Sequence, residues 1–188
     1  MKQLIFSTGN SMKFELGRDT AAHYDIELIQ KVMDVVEIQS EDPEAVAVAK
    51  AKAAYEMCGQ PVVISDDSWS FSGLNGFPGV YMHSMNHWLT AEDFLNLTRL
   101  LMNRKATLTQ CLVYCDGAGT KLFKSETHGE ILKEARGNSV HPNHMIITLD
   151  GDDGRSIAEA YDAAEDKSDR KAAVVWRDFC DWYSAKTD

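Results

Sequence analysis

The sequence predicts an α/β fold. Three observations carry this: a strand–loop–helix–strand opening, an Ala-rich helix running into the apolar strand PVVIS, and a later pair of long alternating segments. Lys2 to Ser7 reads as a short buried strand, Thr8-Gly9-Asn10 as a turn, Ser11 to Ala22 as a helix and Ile26 to Ile29 as a second strand. Ser40-Glu41-Asp42-Pro43 has the acids and proline of a helix start. The Ala-rich helix EAVAVAKAKAAYEM follows, and Gly59 ends it. PVVIS is expected to deliver Asp66, Asp67 and Ser68 at its C-terminal end, ahead of a loop with Gly73, Gly76, Pro78 and Gly79. Thr90 is placed to cap a helix from Ala91 to Asn103. Thr107 to Cys115 and Lys121 to Leu132 read as a hairpin around the turn residues Asp116 to Gly119. Asn138 to Asn143 is expected as a loop, Met145 to Leu149 as a short strand, GDDG as a turn and Lys167 to Ala185 as a final amphipathic helix. No internal repeat, linker or low-complexity tract interrupts this order.

The 188 residues suit one domain, or one domain with two lobes, and 44% hydrophobic residues are enough for a core. No stretch approaches the roughly 18 consecutive apolar residues that cross a bilayer, and MKQLIFSTGN reads as a first strand, not a signal peptide. A net charge of −10 disfavours broad contact with a nucleic-acid backbone. A small phosphorylated ligand would need local cations or a divalent metal. Cys58, Cys111, Cys115 and Cys180 form no paired CxxC pattern. Strand alternation puts Cys111 and Cys115 on one face as buried free thiols. The expectation is a cytoplasmic protein with neither a membrane nor a nucleic-acid partner.

Four constellations carry chemistry. Ser7-Thr8-Gly9-Asn10-Ser11-Met12-Lys13 joins a strand to a helix, where exposed N–H groups favour anions and Lys13 adds a charge one turn in. The same residues also fit an ordinary strand-to-helix turn, and no Walker A pattern is present. Asp66-Asp67-Ser68 offers oxygen ligands to a hard divalent cation at a strand end, or forms a solvated turn. Glu37 precedes a helix start and fits either a shared metal site or an exposed loop. Asn75-Gly76-Phe77-Pro78-Gly79-Val80-Tyr81 is a shaped loop.

Taken together and in this order, these segments resemble the Ham1/inosine-triphosphatase family. TGNSMK at positions 8–13 matches the family's TGNxxK, Glu37 before the EDPEAVAVAKAKAA helix matches its acid before a helix bearing KA, ISDDS matches its paired-acid stretch, and LNGFPGVY at 74–81 is nearly verbatim. The resemblance is strong over residues 1–100 and weaker beyond. It implies an elongated mixed central sheet flanked by helices, two lobes with the active cleft between them, and a homodimer. It also implies magnesium-dependent hydrolysis of non-canonical purine nucleoside triphosphates to monophosphate and pyrophosphate. Under it, Lys13 and the Thr8-Gly9-Asn10 backbone hold the triphosphate. Glu37 and Asp67, with Asp66 beside them, bind Mg2+ or its waters, and Asp67 positions the attacking water. Lys52 and Ser68 stand near the phosphates.

The second half departs from the family pattern. Where the family has GFGYDP, this chain has Gly137-Asn138-Ser139-Val140-His141-Pro142, so Asn138 replaces the base-stacking phenylalanine and His141 the aspartate. Where the family has SHR, it has Ser168-Asp169-Arg170, so Asp169 replaces the base-reading histidine while Arg170 remains. These changes fall in the base pocket and spare the phosphate and metal residues. The reaction type is therefore carried more firmly than the base. Two other functions fit the pattern: a catalytically inactive nucleotide-binding dimer or sensor, and a phosphatase for another phosphorylated metabolite.

Overall fold

The computed structural model describes residues 2–186, which fall into two compact units. Unit one comprises residues 2–66, 110–125 and 166–186, and unit two residues 67–109 and 126–165. The strands are β1 (Lys2–Ser7), β2 (Ile26–Lys31), β3 (Val62–Phe71), β4 (Pro78–Gly79), β5 (Lys105–Asp116), β6 (Gly119–Ile131) and β7 (Ile147–Leu149). The helices are α1 (Ser11–Ala22), α2 (Pro43–Cys58), α3 (Met82–Trp88), α4 (Ala91–Thr98), α5 (Pro142–Ile146), α6 (Ile157–Ala163) and α7 (Val174–Ala185). This is a mixed α/β fold, parallel at β2-β1-β3 and antiparallel at β3-β4 and β6-β7. No helix among the described residues is long and apolar enough to cross a membrane.

In unit one the strands run in the order β2-β1-β3-β5-β6, with helices on both faces. On one face, the buried Ala47, Ala51 and Ala54 of α2 pack on Val62 and Ile64 of β3 and Cys111, Val113 and Cys115 of β5. Alanines one helical turn apart let the helix lie close to the sheet. Asp42 caps α2, accepting from the Glu44 N–H at 2.9 Å, and Gly59 ends it in the left-handed region at φ 66°. The other face is aromatic. The Phe6 ring meets Trp176 edge-on at 4.8 Å, and Tyr114 sits 5.3 Å from Trp182. The alternation of Val113 and Tyr114 along β5 feeds the two faces in turn.

Unit two continues β3, β5 and β6 and adds β4 on β3 and β7 on β6. Arg104 donates to the carbonyls of Thr98 at 2.8 Å and Ile131 at 2.9 Å, tying the end of α4 to the end of β6.

Several elements differ from the sequence expectation. β3 does not stop before the paired acids but runs through them to Phe71. The helix capped by Thr90 ends at Thr98, not Asn103. Residues 142–146, expected as loop and strand, form α5, with Pro142 in its first turn, where a missing N–H costs nothing. The segment Lys167 to Ala185 is not one helix: the 3-10 turns Lys167–Asp169 and Lys171–Ala173 precede α7, separated by extended backbone at Arg170. The short helices α3 and α6 had no sequence counterpart.

Candidate active site

The carboxyl ends of β1 and β2, alongside β3, define the site in unit one. Ser7 of β1 lies opposite Lys31 of β2 and Ile64 of β3, so the segments that follow β1 and β2 open alongside β3, which continues past them to Phe71. Those segments are the Thr8–Lys13 turn and residues 32–42 with Glu37, and the part of β3 beside them carries Ser65-Asp66.

The turn is organised by its own side chains. Asn10 caps α1, its Oδ1 accepting from the Lys13 N–H at 3.1 Å, and Thr8 Oγ1 accepts from the Asn10 N–H at 3.1 Å. The Ser11 and Met12 amides stand at the positive end of the helix, where anions are favoured. A Cβ on the exposed Gly9 would come no nearer to its surroundings than 3.7 Å, at Val32, so the protein itself does not demand glycine there. The Lys13 ammonium donates to the Ser65 carbonyl at 3.5 Å, which places the cation beside β3 just before the paired acids.

Alternation along β3 then decides the acids. Val62 and Ile64 face α2, so Asp66 faces α2 as well and Asp67 points to the other side of the strand. Asp66 Oδ1 meets the Lys50 ammonium at 3.5 Å, and the same ammonium donates a short hydrogen bond to Glu37 Oε1. Burial alone would pull Lys50 down, but Asp66 and then Glu37 outweigh it and hold the ammonium above its ordinary pKa. Asp67 is half-buried and Ser68 buried, both on the stretch of β3 that opens unit two.

A sequence model of the Ham1 family matches residues 4–176. The chain belongs to the Ham1 family. It is 31% identical over 182 residues to a dITP/XTP pyrophosphatase of Methanopyrus kandleri, covering 96% of each chain. It is 28% identical over 188 residues to a dITP/XTP pyrophosphatase of Methanosarcina acetivorans, covering 99% of this chain and 100% of the relative. Among solved structures, a HAM1 protein from Coxiella burnetii matches with a TM-score of 0.79 at 18% identity, covering 99% of this chain and 100% of the other. The Ham1 protein of Staphylococcus aureus gives 0.72 at 21% identity, covering 97% and 100%. At such identities these two likenesses establish the Ham1 fold.

In this Ham1 chain the lysine gathered to the acids is Lys50, while Lys52, which the resemblance places near the phosphates, is not among them. Lys50 lies one turn from Ala47 and from Ala54, on the buried side of α2, whereas Lys52 is rotated away and exposed. The helical wheel of the AVAVAKAKAA stretch held that signal. The structure also corrects the expected grouping of Glu37, Asp66 and Asp67 around one metal: no three His, Cys, Asp or Glu side chains gather into a metal cage among the described residues. Neighbours on an extended strand point to opposite faces, so Asp66 and Asp67 cannot face one point together.

The family resemblance assigns the positions of Asn138 and His141, in unit two, and of Asp169 and Arg170, in unit one, to base reading. In unit two, Asn138 is exposed and His141 is half-buried, its ring 5.1 Å from that of His144. In unit one, Asp169 is exposed and Arg170 half-buried. Asp166 caps the turn that carries Asp169, its Oδ1 accepting from the Ser168 N–H at 2.8 Å, and the Ser168 carbonyl accepts from Arg177 at 2.6 Å.

Proposed function

We propose that this Ham1 chain hydrolyses nucleoside triphosphates to nucleoside monophosphate and pyrophosphate. The observation that carries the reading is the convergence of Lys13, Lys50, Glu37 and Asp66 where β1 and β2 end alongside β3. The dITP/XTP pyrophosphatases it resembles along nearly its whole length support the same reaction.

Phosphoryl chemistry asks the protein chiefly for positioning and for stabilising charge. The Ser11 and Met12 amides and the Lys13 ammonium present positive charge to the phosphates. Asp67 is the residue assigned to orient the attacking water, and Ser68 follows it on the same strand. Magnesium fits the donor set: Glu37 and Asp66 already share one cation, and Mg2+ uses one or two carboxylates together with substrate phosphates, not an all-protein cage. Glu37 and Asp66 are the carboxylates offered to it, and when bound it would offset phosphate charge.

The names of the relatives make deoxyinosine and xanthosine triphosphates the first substrates to try, while Asn138, His141 and Asp169 argue for a shifted base preference. The test is pyrophosphate release from a panel of canonical, keto-purine, amino-purine and modified triphosphates, with and without Mg2+. Release from at least one member supports the reading. Binding without release would identify a nucleotide sensor, and orthophosphate without pyrophosphate would identify a phosphatase. The homodimer implied by the family belongs to this proposal too, and sedimentation at micromolar concentration above the 21.0 kDa of one chain supports it.

A further inference from the structure

Lys50 is an unusual presence among acids offered to a metal. It lies on the face of α2 that otherwise buries alanine against the sheet, and its side chain is only 21% exposed. A buried ammonium is costly unless it is paired and hydrogen-bonded. Here the pairing comes from Glu37 and Asp66, both within reach of one nitrogen. Two carboxylates that converge on a single cation would repel each other without it, and a hard divalent ion is attracted to the same oxygens. Glu37 sits in a stretch, 32–40, with neither helix nor strand, and its own side chain is 54% exposed. Its bond to Lys50 fastens that stretch to α2.

We propose that Lys50 is a resident counter-ion for the metal position. Its ammonium holds Glu37 and Asp66 together in the metal-free protein and gives up their oxygens when a divalent cation binds. Lys50 is thus a positioning residue that competes with the metal, and it prevents the two acids from springing apart before substrate arrives. This inference rests on the metal-assisted reading above.

The test titrates Mg2+ into nucleotide-free protein by calorimetry and follows thermal unfolding with and without Mg2+, for wild type, Lys50→Met and Lys52→Met. Lys52 is the control, an exposed lysine on the same helix whose loss changes net charge equally. Lys50→Met should bind Mg2+ about tenfold more tightly than Lys52→Met, and Mg2+ should restore its lowered Tm far more than it raises that of wild type. Lys50→Arg should behave as wild type. If Lys50→Met does not fold, Lys50→Gln, which keeps a donor for Glu37 without the charge, carries the same comparison. Equal Mg2+ affinity and equal Tm response in the Lys50 and Lys52 variants would overturn the counter-ion role. Wild-type pyrophosphate release in the absence of any divalent ion would instead overturn the metal reading itself, so the two failures are distinguishable.

Discussion

His23 Nε2 lies 2.9 Å from Asp166 Oδ2, joining the residue that ends α1 to the residue that caps the Ser168-Asp169 turn. Asp19, one turn earlier on α1, accepts from the Lys167 N–H at 3.3 Å. The helix that begins at the Thr8–Lys13 turn is therefore fastened at its far end to the segment that the family resemblance assigns to base reading. Within unit one, α1 is thus a spacer between the turn proposed to hold the phosphates and the turn that the resemblance assigns to the base.

The charge on Asp166 gives this connection a pH signature. Hydrogen bonds from Ser168, side chain and backbone, and then from His23 lower its pKa from 3.8 to about 2. A carboxyl depressed in the folded state contributes stability above its unfolded pKa and loses it as pH falls through the folded value. The advantage of wild type over Asp166→Asn should thus be complete at pH 5 and above, and should shrink as pH falls from about 4 toward 2. The side chain is 42% exposed, so the effect is modest. Urea midpoints of the two proteins across that range check it, and a difference that persists undiminished at pH 2 would contradict the assignment.

Gly17 makes a prediction about the core. A Cβ there would lie 2.6 Å from Cζ2 of Trp176, a side chain 1% exposed and wedged against Phe6 and Phe179. In an open helix, glycine to alanine gains about 1 kcal/mol. Here the rigid indole has no room to move, and overpacking costs about 1–3 kcal/mol. Gly17→Ala should be destabilised, with a lower urea midpoint and an unchanged m-value. A midpoint at or above wild type would mean that the indole shifts freely.

For catalysis, Asp67→Asn should lower turnover by about a hundredfold or more while leaving the thermal transition in place, as loss of a charge-stabilising group at a reacting centre does. Lys13→Ala should lower triphosphate affinity or turnover by more than about tenfold, equivalent to about 1.4 kcal/mol. Steady-state kinetics with the best triphosphate of the panel measure both. Near-normal rates in Asp67→Asn would remove it from the machinery, and unchanged affinity and rate in Lys13→Ala would leave that lysine structural.

The parts of this fold that could be read in the sequence are those whose local signals agree with their packing. β1 and α1 match their expected spans because the apolar strand, the Asn10 cap and the helix pattern all point the same way. The end of β3 was not legible: Asp66-Asp67-Ser68 carries turn chemistry, yet pairing in the sheet carries the strand through it. The C-terminal segment failed for the opposite reason. Its amphipathic pattern suits a helix, but Asp166 takes the Ser168 N–H and Arg170 is extended, so the chain makes short turns before α7 begins. At the site, motif matching named Lys13, Glu37 and the paired acids, and the structure brings Lys13 to Ser65 and both Glu37 and Asp66 to Lys50. Spacing along α2 had to be converted to direction before Lys50 could be placed with the acids.

The base preference follows from what a carboxylate can do. A histidine at position 169 would be able to donate to the keto oxygen of inosine or xanthosine. Asp169 is exposed, and an ionised carboxylate only accepts. Opposing it to a keto oxygen sets two acceptors against each other, and desolvating such a pair without a donor is costly. A base that presents an amino group there supplies the missing donor. Asn138, where the family stacks a phenylalanine, removes about 1–3 kcal/mol of purine stacking if that contact resembles the stacking of single-stranded bases. The expected outcome is a lowered preference for inosine and xanthosine triphosphates and a relative gain for amino-bearing bases, read as a ratio of kcat/KM values. Asp169→His should move that ratio back toward inosine, and Asp169→Asn, which regains a donor, should move it partway. A strong inosine preference that persists unchanged in Asp169→Ala would show that this carboxylate does not read the base.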